Sequence, residues 1–117
     1  MMNDKLFYYR AEVLSVVDGD TVKVKVDLGF RLYRDISLRL DGINTPELRG
    51  EFKAQGYIAK AAAMTWLENR DIIVCTEKDP GSYDRYTANI YDAVTEESLT
   101  SYLLAGGYGV PYVYKWG

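Results

Sequence analysis

The chain contains no histidine, and among its 117 residues there are only one cysteine, Cys75, and three prolines. Without histidine there is no His-based catalytic triad, no zinc site of the usual imidazole kind and no histidine-held haem. Any metal is expected to be a hard cation with oxygen ligands. A single cysteine excludes an internal disulfide framework. No apolar run approaches the roughly 18–20 residues that cross a bilayer. An excess of positive charge is also missing. Fourteen Lys and Arg against seventeen Asp and Glu give a net charge of −3, and the pI is near 4.9. A protein that coats or slides along nucleic acid is normally basic. Affinity for a polyanion is therefore expected to be local, held by a few residues.

What is present is a globular composition, 48% hydrophobic and 26% charged, without repeats, low-complexity stretches or linkers. Residues 1–117 are expected to form one domain. The opening Met1–Lys5 lacks the basic head and apolar centre of a signal segment. That favours a cytoplasmic or phage-encoded protein, with a trimmed secreted form as the alternative.

Residues 6–17 are rich in aromatic and β-branched side chains and read as a long strand. Asp18-Gly19-Asp20 is a turn signal. From Thr21 to Asp27 the pattern alternates, with Val22, Val24 and Val26 inward and Lys23, Lys25 and Asp27 outward. A third strand runs to about Asp41, with Ile36, Leu38 and Leu40 inward and Ser37, Arg39 and Asp41 outward. Gly42 to Gly50, interrupted by Pro46, reads as an ordered loop. The period becomes helical from about Gln55 to Asn69, with Ile58, Ala62 and Trp66 on one line and Ala59, Ala63 and Leu67 beside it.

Ile72–Thr76 and residues 86–93 read as two more strands, with Cys75 as a buried small hydrophobe. Pro80-Gly81 breaks the chain between them. A second helix is expected with Glu96-Glu97 in its first turn and Leu99, Tyr102 and Leu103 on its apolar face. The fold class is thus mainly β with helices. A small closed antiparallel barrel hides the edges of five short twisted strands, and the first helix plugs one end. That is a five-stranded OB-fold barrel with two helices. A flat sheet with both helices on one face is the alternative.

Phosphodiester hydrolysis needs a base for water, positive charge for the phosphoryl oxygens and often a bridging cation. Arg39 and Arg85 suit the second task, since guanidinium contacts phosphate in a planar, bidentate way. Asp20 suits the third as a carboxylate ligand, and Glu47, across the turn stiffened by Pro46, suits the first. Each has an ordinary reading beside it. Asp18-Gly19-Asp20 is also a common hairpin turn, Asn44 an Asx turn, and Asp41 a structural strand-end charge.

Four segments in this order are similar to the staphylococcal (thermonuclease-like) nuclease family: Val17-Asp18-Gly19-Asp20-Thr21-Val22, Arg39-Leu40 with Ile43-Asn44-Thr45-Pro46-Glu47, Arg85 with Ala88-Asn89-Ile90-Tyr91, and Tyr112-Val113-Tyr114-Lys115. The resemblance covers about residues 8–115. It implies an OB barrel that hydrolyses single-stranded or locally unpaired DNA and RNA with calcium, leaving 3′-phosphate ends. It places Asp20 and the Thr45 carbonyl on the metal, with Asp18 behind the first ligand. It makes Glu47 the general base, gives Arg39 and Arg85 to the phosphate, and sets Tyr83, Tyr112 and Tyr114 against the nucleotide. Asn44 stands where the family has a second ligand carboxylate. An amide oxygen brings no charge, so weaker calcium binding, or a shift to Mg2+ or Mn2+, is expected, with Asp41 and Asp18 as nearby carboxylates. A monomer without membrane contact is expected. A non-catalytic OB-fold module that binds nucleic acid or a protein is the competing expectation.

Overall fold

The computed structural model describes residues 7–78 and 85–112. The architecture is mainly β with two helices, in the order β1 (Tyr8–Asp18), β2 (Thr21–Asp27), β3 (Tyr33–Leu40), β4 (Ile43–Asn44), α1 (Lys53–Leu67), β5 (Ile72–Lys78), β6 (Arg85–Asp92), α2 (Leu99–Ala105) and β7 (Val110–Pro111). Five strands close into a barrel in the order β1-β2-β3-β6-β5, with β5 returning to β1, and β4 and β7 form a separate two-stranded pair. The sheet is mixed. The β3–β6 seam is parallel, whereas β1–β2, β2–β3, β5–β6 and β1–β5 are antiparallel. The wholly antiparallel barrel expected from the sequence is corrected at that one seam, because 44 residues containing α1 and β5 separate the two strands and return the chain in the same direction.

β1 pairs with two neighbours because register shifts between Val13 and Ser15 and between Val16 and Asp18 coil it around the barrel. β2 alternates as its sequence dictates. Val22, Val24 and Val26 are buried with Leu38 and Leu40 of β3, Val74 of β5 and Ala88 and Ile90 of β6. The buried face of α1 joins this same core through Ala62, Ala63, Trp66 and Leu67, and α2 joins it through Leu99 and Leu103.

Two expectations about α1 and β5 need correction. Ile58 is exposed, because the helix turns its small residues Gly56, Ala59 and Ala63 inward. A Cβ on Gly56 would collide with the Glu47 carbonyl oxygen, so the backbones approach too closely there for a large side chain. Cys75 is half-buried, since it alternates with the inward Val74. Helix α2 starts after Glu96-Glu97, with Ser98 as its N-cap accepting from the Ser101 N–H at 2.9 Å.

One polar latch ties the two helices to β6. The Trp66 indole donates to Glu97 at 2.8 Å, and Arg70 lies over the Trp66 ring and pairs with Asp92 at 2.7 Å.

Candidate nucleic-acid interface

The candidate site forms where the β1–β2 turn, the end of β3 and the loop following β4 meet. Gly19 is required there by close approach. A Cβ at that position would stand 2.8 Å from the Ala59 Cβ and 2.9 Å from the Thr45 side chain. The turn therefore packs directly on α1 and on Thr45, which sets Asp20 against the loop. The Asp20 carboxylate is buried. Its Oδ2 accepts the Thr45 backbone N–H at 2.9 Å, and its Oδ1 accepts the Thr21 hydroxyl at 3.2 Å. The Asp20 N–H donates to Asp18 Oδ1 at 3.1 Å, an Asx-type turn.

Arg39 is outward in the strand alternation, as the sequence predicts, yet only 8% exposed. Its Nη1 donates to the carbonyls of Leu40 at 2.8 Å and Ile43 at 2.7 Å. Its Nη2 donates to Asn44 Oδ1 at 3.1 Å and lies 3.4 Å from Asp20 Oδ2. The Tyr112 ring centroid is 5.9 Å from the guanidinium carbon. Asp20, Arg39, Asn44 and Thr45 thus come together as one cluster.

Two carboxylates in contact must titrate apart. Burial, together with the hydrogen bond and charge of Asp20, pushes the Asp18 carboxyl up to about 6. Burial also disfavours the charge on Asp20. The hydrogen bond from Asp18, the Thr45 N–H and the Arg39 guanidinium outweigh it and hold Asp20 below the ordinary carboxylate value. Asp20 is the standing negative charge of the pair, and Asp18 carries the proton first.

Glu47 is exposed. It lines a hollow of about 760 Å³ together with Asn44, Thr45 and Tyr108, and a second of about 310 Å³ together with Val17 and Asp18. Asp41 is half-buried and serves the fold through its main chain. Its N–H donates to the Ala88 carbonyl at 2.8 Å, and its carbonyl accepts the Thr100 hydroxyl. The backbone of Arg85 pairs with Ser37, two residues along from the Thr87–Arg39 pair. Tyr83 and Tyr114 lie outside the described residues.

Sequence reasoning missed Thr87. It is outward in alternation, only 3% exposed, and its hydroxyl has no hydrogen-bond partner among the described residues. The one signal for it was a small β-branched residue between the long side chains of Arg85, Asn89 and Tyr91 at the outward positions of β6.

Among the described residues, no group of three or more Asp, Glu or Cys side chains is placed to hold a metal ion. Asp20 Oδ2 and Asn44 Oδ1 both face the Arg39 guanidinium. The cluster as arranged is an internal cation clamp.

The outward face next to this cluster has a different character. Lys23 and Lys25 of β2 are exposed between buried valines. Lys23 stands opposite Ser37, which stands opposite Arg85 on the far side of β3. The Lys25 ammonium lies 5.8 Å from the centre of the Tyr33 ring.

No protein-family model matches the chain, and no curated protein matches it. The geometry defines the class: a small five-stranded, OB-fold-like barrel carrying two helices. Barrels of that class bind oligonucleotides and oligosaccharides on the face of the second and third strands and on the adjoining loops. No helix among the described residues is long and apolar enough to cross a membrane.

Proposed function

We propose that the protein binds short stretches of single-stranded or locally unpaired DNA or RNA on the outward face of β2 and β3. The observation that carries this reading is the row formed by Lys23, Ser37 and the Arg85 position across three neighbouring strands, with the Lys25–Tyr33 pair beside it. Ammonium groups meet phosphates there, and the Tyr33 ring, more than half exposed, offers a face on which a base stacks. Glu12 lies opposite Lys25 on one side and Asp35 on the other. These carboxylates keep the grip local and modest, in line with the net charge of −3.

The test is fluorescence anisotropy of a labelled single strand at varied salt. About three neutralised phosphates predict a log–log salt slope near −2. A double Lys23→Glu, Lys25→Glu variant, with circular dichroism unchanged, is expected to bind at least about tenfold more weakly. Equal binding by parent and variant, or no binding at low salt, would overturn the proposal.

A finer reading, hydrolysis of the bound phosphodiester as the nuclease resemblance implies, is favoured by Glu47, which is exposed and shares one hollow with Asn44 and Thr45 and another with Asp18. On this reading Glu47 takes the proton of the attacking water, Arg39 and Arg85 meet the phosphoryl oxygens, and Tyr83, Tyr112 and Tyr114 border the nucleotide. Calcium, with Mg2+ or Mn2+ as alternatives, is the implied ion. Asp20, Asn44 and the Thr45 carbonyl would hold it. Calcium takes six to eight oxygen ligands, and of the three side-chain oxygens in that set Asp20 Oδ2 and Asn44 Oδ1 are turned to Arg39 while Asp20 Oδ1 accepts the Thr21 hydroxyl. As arranged, the residues suit a guanidinium better than a divalent cation, so binding stands ahead of cleavage. Incubating the labelled strand with each ion separates the two readings: cleavage that Glu47→Gln abolishes establishes hydrolysis, and an intact strand leaves binding alone.

A further inference from the structure

Helix α1 turns its small residues and Trp66 to the core and leaves an opposite face that the barrel does not use. Ala54, Tyr57, Ala61, Met64 and Glu68 follow one another at intervals of three and four residues, which sets them on one line along the helix, with Ile58 beside it. All of them are exposed, and Tyr57, Ile58 and Met64 are each about half open. On a helix that only covers a core, this face ordinarily carries charged and polar residues. Here charge is confined to the two ends, Lys53 in the first turn and Glu68 at the C-cap. Lys60 is half-buried at the edge of the face.

Beside the line, the register shift between Val13 and Ser15 leaves Leu14 of β1 without a partner position on β2 and nearly half exposed. A hollow of about 590 Å³ is lined by Leu14 together with Ala61, Met64 and Thr65 of α1. The two end charges stand against the helix dipole, which favours an anion at the N-terminus and a cation at the C-terminus. Neither makes an ion pair among the described residues.

We infer that this face is a self-association surface, on which α1 of one copy packs antiparallel to α1 of a second copy about a two-fold axis beside Ala61. Three observations select a second copy as the occupant. The order of charge is self-complementary. Lys53 and Glu68 lie almost equally far along the helix from Ala61, so a reversed copy brings each lysine to the other's glutamate, and each helix end meets a dipole end of opposite sign. A partner of one uniform charge would be repelled at one end. The shape is self-complementary as well. Ala61 at the axis and Ala54 near the end let the two helices approach closely, and Tyr57 of each copy comes level with Thr65 of the other, at the hollow beside Leu14. The area fits a weak dimer. At roughly 200 Å² for a large side chain, the open parts of Leu14, Tyr57, Ile58 and Met64 make a patch of about 400 Å². With Ala54, Ala61 and Thr65 added, two copies together cover roughly 1,000 Å², the lower edge for a specific, reversible interface. The inference replaces the monomer expected from the sequence. It does not rest on the nucleic-acid reading, which uses β2 and β3.

Sedimentation equilibrium of the full chain from ~5 µM to ~1 mM, the range a small interface calls for, tests it. The parent is expected to rise from 13.3 kDa towards twice that mass. Ala61→Arg puts a long charged side chain on the axis at an exposed helical position that tolerates it, and is expected to stay at the single-chain mass while remaining folded by circular dichroism. Lys53→Glu turns two attractions across the axis into two repulsions while suiting the dipole of its own helix better. It is expected to associate at least about fivefold more weakly at unchanged fold. The double variant Lys53→Glu, Glu68→Lys restores opposite charges across the axis and is expected to recover the parent's association. A parent that stays at single-chain mass throughout, as it would if this face served a different protein, would overturn the inference. So would Ala61→Arg associating like the parent, or a double variant no stronger than Lys53→Glu alone.

Discussion

The Arg39 guanidinium lies 3.4 Å from the Asp20 carboxylate, and both side chains are about nine-tenths buried. The same guanidinium serves the main-chain carbonyls of Leu40 and Ile43 and the amide oxygen of Asn44. One side chain therefore fastens the end of β3, the β4 strand and the β1–β2 turn to each other.

Removing it leaves a buried carboxylate and three acceptors without a cation. Arg39→Ala is expected to lower the free energy of unfolding by about 3 kcal/mol or more, read from urea denaturation. Arg39→Lys is expected to recover only part of that, because an ammonium cannot reach a fork of acceptors in fixed directions. Glu47→Gln, at an exposed position, is expected to change stability by less than about 0.5 kcal/mol. A stability loss for Glu47→Gln as large as that for Arg39→Ala would contradict the placement of both residues.

Asp18 gives the fold a pH signature. Its carboxyl titrates at about 6 in the folded chain against an ordinary 3.8, raised by burial and by Asp20. A raised carboxyl pKa means that the folded state holds the proton more tightly. Its contribution is complete below about pH 4 and is lost as the pH rises through 6. Asp18→Asn keeps the Oδ1 that accepts the Asp20 N–H and cannot ionise. It is expected to match the parent near pH 4 and to exceed it at pH 7–8 by on the order of 1 kcal/mol, after allowance for solvent screening of a half-buried group. Thermal melts at the two pH values would show the difference; a variant less stable than the parent at pH 8 would contradict it.

Gly56 tests the seat of Glu47. Glycine inside a helix ordinarily costs about 1 kcal/mol relative to alanine, so Gly56→Ala should stabilise α1 if propensity alone decided. Here the added Cβ would collide with the Glu47 carbonyl. The expected outcome is a loss of at least about 1 kcal/mol, with the loop from Thr45 to Glu47 displaced. Measured unfolding free energies decide the sign, and a more stable alanine variant would show that the loop gives way freely.

The parts of the fold that were legible in the sequence are those written in short periods. The strict alternation of Val22, Val24 and Val26 needs only a pleated strand with one buried face, and all three are buried. Trp66, Leu99 and Leu103 likewise follow from helical spacing. The parallel seam between β3 and β6 was not legible, because strand direction across 44 intervening residues leaves no mark on either strand's own pattern. Ile58 misled for a related reason. Its spacing to Ala62 and Trp66 marks a stripe, but which edge of that stripe faces inward depends on how closely the Glu47 backbone presses on Gly56. At the site, the resemblance to the nuclease family implied that Asp20, Arg39, Asn44 and Thr45 lie near one another, and these four residues do come into contact. That Arg39 turns inward to carbonyls was not legible, since main-chain acceptors are the same in every sequence.

The seam that joins β3 to β6 also orders events during synthesis. Residues 33–40 leave the ribosome long before residues 85–92 exist to pair with them. Until then the flank of Arg39 that Thr87 later covers stands open to water, and the barrel is an unclosed sheet with a raw edge. Interface and closed wall are therefore completed together by the last third of the chain. A ribosome stalled before that point would hold a chain that has every residue of the Asp20–Arg39 cluster and little of its burial.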